Sequence, residues 1–315
     1  MPSPINKIAI IGTGVIGSGW TLRLLAKKKE IYVFEPSIKQ KKFLLDEIKR
    51  TTKSLKNFYK ISTISTKKLY FKKTIRDAVK DVDLIQENAP ENEKIKKKIV
   101  KEISKWSKPN AIIASSSSGL LPTKIQSACK NPARFIIAHP FNPVYLLPLV
   151  ELVKGKKTKN NFIKKSEIFY RSLGMQPLIV KKEIEGYLSD RLQESMWRES
   201  LHIINENLAS TDDLDKAIIH GPGLRWSLMG TFLTFHLAGG KLGMRHMLKQ
   251  FGPALKLPWT KLKAPKLSKK LSSRVISGTR QQARGKSVAM ISNIRDEYLV
   301  NLQKLRKKYE NKIRR

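Results

Sequence analysis

The chain has 315 residues, 40% of them hydrophobic, which is enough for a sizeable core and two domains and excludes a disordered chain. No apolar run reaches 18 residues, so no membrane-spanning helix is expected; the single cysteine, Cys129, cannot form an internal disulfide, which suits a reducing, cytoplasmic setting. The net charge of +38 invites a nucleic-acid reading, but only 16 of the 63 basic residues are arginine and the lysines are scattered, whereas specific sites favour clustered arginine forks; no specific nucleic-acid partner is expected.

The N-terminus has neither the basic lead nor the small-residue cleavage site of a secretion signal, and its apolar stretch KIAII, Lys7 to Ile11, reads as a first strand. Gly12-Thr13-Gly14-Val15-Ile16-Gly17 follows at once, then a helical segment from Ser18 to Lys29 and a second apolar run, IYVF, closing on Glu35. Strand, glycine turn, helix, strand and acid, in that order, form a dinucleotide-binding unit. Gly12 permits the tight turn, Gly14 lets backbone approach a pyrophosphate, and Gly17 lets the helix sit close to the strand. The helix N-terminus then offers N–H groups and positive dipole character to the phosphates. Glu35 is placed to accept the hydroxyls of the adenine ribose and would repel a 2′-phosphate, so NAD is expected rather than NADP.

From Ser37 to Lys60 the spacing is helical and the face charged. Asp83 to Gln86 is a buried-type strand leading to Glu87-Asn88-Ala89-Pro90, a loop at the carboxyl edge of a parallel sheet, where such sheets bind ligands. A helix is expected from Glu91 to Lys105. Ala111 to Ala114 is a further strand ending in four serines and Gly119, which form either a flexible turn or a set of hydroxyls and amides beside the cofactor. Pro122 opens a short helix, and Arg134 to Ala138 delivers the chain to His139.

His139 to Glu151, HPFNPVYLLPLVE, is apolar and bent by Pro140, Pro143 and Pro148, so it is no helix interior. It reads as a strand, a tight bend and a second short strand, an arrangement that brings His139 beside Glu151. A neutral imidazole oriented by a carboxylate is a general base. Taken alone such a pair serves structure as readily as chemistry, but beside a nicotinamide cofactor a base is what alcohol oxidation requires: the proton leaves to the base as the hydride leaves to the cofactor.

A helix from Asn161 to Leu173 and a last strand, Gln176 to Val180, complete this half, and the domain boundary is placed near Lys182. Beyond it the texture is helical. The first helix, Tyr187 to Leu208, carries a packing stripe (Leu188, Leu192, Met196) and, on a different face, Asp190, Glu194 and Trp197. Thr211-Asp212-Asp213 caps the next helix. The glycine-bounded, aromatic segment Gly221 to Gly240 reads as a buried interface helix as readily as a ligand-binding one. Ile294, Tyr298, Leu302, Leu305 and Tyr309 share one face of an amphipathic docking helix. No Cys/His spacing suggests a metal.

These blocks carry a resemblance over essentially the whole length. IAIIGTGVIGSGW, DLIQENAPE, ASSSSGL, HPFNPVYLLPLVE and EGYLSDRLQESMWRE resemble the 3-hydroxyacyl-CoA dehydrogenase superfamily. More narrowly, GPGLRWSLMGTFLTFHLAGG and GMRHMLKQFGPALKLPWTKL resemble its L-carnitine 3-dehydrogenase branch. The resemblance implies that His139 is the general base and Glu151 its partner, that Ser118 and Asn142 contact the substrate oxygen, that Glu87 contacts NAD, and that the helical domain forms a homodimer. Two departures stand out: Asp190 where acyl-CoA members usually carry asparagine, and Asn92 where they carry a lysine near the cofactor. An anion at position 190 suits a trimethylammonium group rather than an acyl-CoA, with Glu194 and the Trp197 ring on the same face. An arginine fork, from Arg191, Arg198 or Arg225, is the candidate for a substrate carboxylate. The expectation is therefore an α/β protein: a Rossmann-type NAD-binding domain (1–182), then an all-helical substrate and dimerisation domain (183–315). It acts on a small molecule, L-carnitine or another 3-hydroxy acid or 3-hydroxyacyl-CoA; a non-catalytic structural or nucleic-acid-associated member of the fold is the alternative.

Overall fold

The computed structural model describes residues 5–227, 230–253, 257–261, 268–271, 273–274, 277 and 284–313. Its chain divides into two units, Met1–Asp190 and Arg191–Arg315. The first is built from β1 (Lys7–Ile11), α1 (Val15–Ala26), β2 (Glu30–Phe34), α2 (Ile38–Tyr59), β3 (Leu69–Lys72), α3 (Ile75–Val79), β4 (Leu84–Glu87), α4 (Glu93–Trp106), β5 (Ile112–Ser115), α5 (Pro122–Gln126), β6 (Phe135–Pro140), β7 (Leu149–Lys154), α6 (Asn160–Ser172) and β8 (Gln176–Val180).

All eight strands join one sheet in the order β3-β2-β1-β4-β5-β6-β7-β8. Neighbours from β3 to β6 are parallel, β7 runs antiparallel to β6, and β8 is parallel to β7. The central strands β4, β5 and β6 are buried along their whole length. Such strands read as continuous apolar runs because helices cover both faces. Each fully buried Ile or Val contributes roughly 1.5–3 kcal/mol of transfer free energy. The parallel strands β1, β4, β5 and β6 end at one carboxyl edge, at Ile11, Glu87, Ser115 and Pro140.

Helix boundaries follow their caps. Ser37 accepts from Gln40 N–H and opens α2, while Lys60, with φ of 54°, closes it in the left-handed region. Asn92 accepts from Ile95 N–H and starts α4 at Glu93, two residues later than the spacing suggests. The edge strand β3 is short, paired only with β2 and flanked by lysines, and these charges hide it from a pattern search.

The second unit holds α7 (Ser189–Asn205, whose first two residues belong to the first unit), α8 (Thr211–His220), α9 (Pro222–Trp226), α10 (Thr231–Ala238), α11 (Met244–Phe251) and α12 (Val288–Ile313). The expected start of α7 at Tyr187 is corrected by two residues. Gly186 and Tyr187 have φ of 70° and 46°, a left-handed turn that no helix continues through. The cap of α8 is Ser210, in a reciprocal capping box with Asp213, rather than Thr211. The segment Gly221 to Gly240 is two short helices instead of one, with Phe232 and Leu237 exposed; Leu228 and Met229 lie outside the described residues. On α12 the apolar stripe is the open side: Ile294, Tyr298 and Leu305 are exposed while Asp296, Val300 and Gln303 are buried. Asp296 and Gln303 each have a polar partner, which lets that face turn inward; the Tyr309 side chain lies outside the described residues. No helix among the described residues is long and apolar enough to cross a membrane.

Candidate active site

The glycine turn is built as a cradle. Gly12 has φ of +89°, open to glycine at little cost, and its N–H donates to Phe34 O (2.9 Å), tying β1 to β2. A Cβ on Gly17 would lie 2.0 Å from Gly12 O, so only glycine lets α1 approach the turn. A Cβ on Gly14 would meet nothing within 4 Å, which leaves the mouth of the turn open above the first N–H groups of α1. Val15 is exposed at that mouth, and Thr13 is buried beneath it. These residues fit the diphosphate of a dinucleotide, anionic and needing close backbone approach.

Glu35 follows β2 and is buried. Its Oε2 accepts from Thr13 N–H (2.7 Å) and Thr13 Oγ1 (3.2 Å), and its Oε1 from Ser37 N–H (2.9 Å). A carboxylate has about four acceptor positions. Glu35 therefore braces the turn and keeps acceptor capacity for a ribose hydroxyl.

At the ends of β4 and β5 a second polar cluster closes the edge. Glu87 is fully buried; it accepts from Lys96 Nζ (3.1 and 3.2 Å), from Ala89 N–H (2.6 Å) and from the Ser115 hydroxyl. The carboxylate expected to meet NAD is thus held inside the protein, where it fixes the loop. Glu91 is the partly exposed acid of the cluster. It accepts from the Ser117 hydroxyl and from Ser118 and Gly119 N–H (3.1 Å each), and lies 3.5 Å from Lys96 Nζ. Burial pushes the Glu91 carboxyl up, but the Ser117 bond and Lys96 outweigh it and hold it below the usual range. Asn92 is the cap of α4, and Lys96, one turn later, is buried against Glu87. The Ser118 hydroxyl, half-buried, makes no hydrogen bond among the described residues and is available to a ligand.

Next along the edge stands His139. In the β6–β7 ladder His139 and Glu151 are directly opposite, and Nδ1 lies 3.0 Å from Glu151 Oε2. Glu151 is fully buried; its Oε1 accepts from Leu188 N–H (3.0 Å), Ser189 N–H (3.0 Å) and Ser189 Oγ (3.2 Å). Burial raises the Glu151 carboxyl, but the bonds from His139, Ser189 and Leu188 more than reverse this and hold it below its ordinary value. An ionised carboxylate only accepts, so Nδ1 carries the hydrogen and Nε2 presents a lone pair. The ring is packed by Phe141 and Tyr187, at centroid distances of 5.2 and 5.6 Å. On its Nε2 side Asp190 Oδ2 stands 3.6 Å away. Asn142 is exposed on the bend, three residues past His139, and its peptide bond to Pro143 is cis.

The bend is held from below. Arg23, buried in α1, donates to Val144 O (2.7 Å), Leu147 O (2.8 Å) and Leu173 O (3.2 Å). The Tyr59 hydroxyl donates to Tyr145 O (3.0 Å). The helix that follows the glycine turn therefore also positions the bend carrying His139. Arg23, Glu91, Lys96 and Tyr187 are the residues sequence reasoning passed over. A lone arginine inside an apolar helix was the visible signal for Arg23. Lys96 had none among 47 lysines.

Of the remaining candidates, Asp190 closes the first unit beside His139, whereas Glu194, Trp197, Arg191, Arg198 and Arg225 belong to the second. Glu194 accepts from Arg198 Nε at 3.0 Å, Trp197 is half-exposed on α7, and Arg225 lies in the last turn of α9, exposed.

The family profile described as 3-hydroxyacyl-CoA dehydrogenase, NAD binding domain, matches residues 7–184, and that of the C-terminal domain matches 186–278. The chain is 48% identical over 305 residues to an L-carnitine dehydrogenase of Bacillus cereus, covering 97% of this chain and 94% of the relative. It is also 48% identical over 298 residues to an L-carnitine dehydrogenase of Oceanobacillus iheyensis (95% and 97% covered) and 44% identical over 296 residues to one of Pseudomonas aeruginosa (94% and 92%). In fold it is similar to a 5-formyl-3-hydroxy-2-methylpyridine 4-carboxylic acid 5-dehydrogenase (TM-score 0.79, 21% identity, 96% and 99% covered). A 3-hydroxyacyl-CoA dehydrogenase of Archaeoglobus fulgidus shares the fold as well (TM-score 0.63, 23% identity, 97% and 99% covered).

Proposed function

The chain belongs to the 3-hydroxyacyl-CoA dehydrogenase family as an NAD-dependent dehydrogenase, and from that premise we propose that it oxidises the 3-hydroxyl of L-carnitine to 3-dehydrocarnitine. The observation that carries the reading is the imidazole of His139, oriented by a buried carboxylate, on the sheet edge that also bears the glycine turn. The substrate assignment is supported by relatives that carry the name L-carnitine dehydrogenase over nearly their whole length, and by an anion, Asp190, beside the base.

In this proposal NAD, when bound, supplies the hydride acceptor. Gly12, Thr13, Gly14, Val15, Ile16 and Gly17 hold its diphosphate and Glu35 its ribose, while Glu87 holds the loop beside it. His139 takes the hydroxyl proton at Nε2, and Glu151 stabilises the imidazolium that results. Ser118 and Asn142 hold the substrate oxygen. Asp190, Glu194 and the Trp197 ring receive the trimethylammonium group, for which each aromatic face contributes about 0.5–2 kcal/mol. Arg225, Arg191 or Arg198 receives the carboxylate. The second unit is proposed as the homodimer interface, and the enzyme as cytoplasmic.

The test is NAD reduction with L-carnitine, D-carnitine, L-gulonate and 3-hydroxybutyryl-CoA. The proposal expects kcat/KM to be highest for L-carnitine, and a preference for either of the last two would overturn the substrate assignment.

A further inference from the structure

Each turnover leaves a proton on His139 Nε2, and that proton must reach solvent before the next substrate is oxidised. The His139 side chain is 8% exposed, and Glu151, at 0%, is fixed by four donors, so neither is open to water. Phe141 and Tyr187 pack against the ring. The Tyr187 hydroxyl donates to Leu120 O (2.8 Å), and burial holds it far above the usual phenol range, so it stays protonated and takes no proton. Among the described groups around the ring, one both approaches Nε2 and reaches water. Asp190 Oδ2 is 3.6 Å from Nε2, and the Asp190 side chain is 33% exposed. Catalytic hydrogen bonds are often long before substrate binds and tighten in the complex. Asp190 also stands in the first turn of α7, where the helix dipole favours an anion.

We propose that Asp190 is the proton outlet of the site: the proton taken from the substrate hydroxyl by His139 Nε2 passes to Asp190 Oδ2 and from there to water or a buffer base. The proton balance is closed by these two transfers, the N–H bond of the imidazolium breaking as the O–H bond of the carboxyl forms. Asp190 acts through His139 and is a positioning and relay residue, separate in its kinetic signature from any part it has in holding the cation. The inference rests on the general-base reading of His139 but not on the identity of the substrate.

Asp190→Asn keeps the shape and removes the proton acceptor; Asp190→Glu keeps the acceptor. The expected result for Asp190→Asn, at saturating substrate in weak buffer, is a fall in kcat of about 10–100-fold, restored by adding imidazole or formate as a diffusible base, with most of the activity retained in Asp190→Glu. An unchanged kcat, or a loss that no buffer base restores, would overturn the relay. Any 3-hydroxy substrate that the wild type turns over serves for the kinetics, so failure with L-carnitine alone counts against the substrate assignment and leaves the relay to be judged with another substrate.

Discussion

His139 and Glu151 are cross-strand partners in the only antiparallel pairing of the described sheet, and this register places Nδ1 3.0 Å from Oε2. A one-residue slip would turn Glu151 to the opposite face of the sheet and leave a buried imidazole without its acceptor. The ladder, the bend pinned by Arg23, and the backbone N–H groups of Leu188 and Ser189 all act on the same two side chains.

Glu151→Gln tests the electrostatic half of the pair. An amide turned with its NH2 toward Nδ1 favours the wrong tautomer, with the hydrogen on Nε2, so kcat should fall about 10²–10⁴-fold with a smaller change in KM. Because the folded carboxyl sits below its unfolded value, its contribution to stability is present above roughly pH 4.3 and is lost as pH falls through the folded value. The acid limb of the stability curve, followed by circular dichroism, should therefore be shallower in Glu151→Gln than in the wild type.

In the proposed account Glu35 sets cofactor choice through charge and through the turn. Glu35→Ala removes the acceptor of Thr13 N–H and the anion that repels a 2′-phosphate. The NAD-over-NADP preference in kcat/KM should drop by about tenfold or more, the factor that about 1.4 kcal/mol of differential binding represents, while KM for NAD rises. An unaltered preference would remove Glu35 from cofactor discrimination.

Gly17→Ala asks whether the cradle tolerates a methyl group. The added Cβ would sit 2.0 Å from Gly12 O, backbone that cannot swing aside. Destabilisation of about 1–3 kcal/mol is expected, with loss of NAD binding measured by calorimetry. Gly14→Ala, whose Cβ meets no protein atom, should retain stability and lose affinity only.

Lys96→Met leaves Glu87 buried without its cation. Removing one member of a buried pair costs about 3–5 kcal/mol, whereas Lys97→Met, which breaks the exposed Lys97–Glu93 pair, should leave stability nearly unchanged. Urea denaturation of the two variants reads the difference directly.

What the sequence made legible was whatever depends on local pattern. The Rossmann order of strand, glycine turn, helix and acid needs only adjacent residues, and the prolines between His139 and Glu151 force a bend wherever the chain goes. Less legible were contacts made by residue types that occur everywhere or by turns of unusual conformation. Lys96 is one lysine among 47, and its burial depends on Glu87 and Glu91 converging from other elements. Asp190 meets His139 because Gly186 and Tyr187 adopt the left-handed region before α7 begins, which helical spacing alone does not reveal. On α12 periodicity identifies an apolar face but not whether the chain covers it.

The most direct measurement of the central claim is the single-turnover rate of NAD reduction with L-carnitine, compared between wild type and His139→Gln at equal cofactor occupancy. The account predicts a rate lower by about 10²–10⁴-fold with NAD affinity preserved, since the glycine turn and Glu35 are untouched. An unchanged rate in His139→Gln would contradict it.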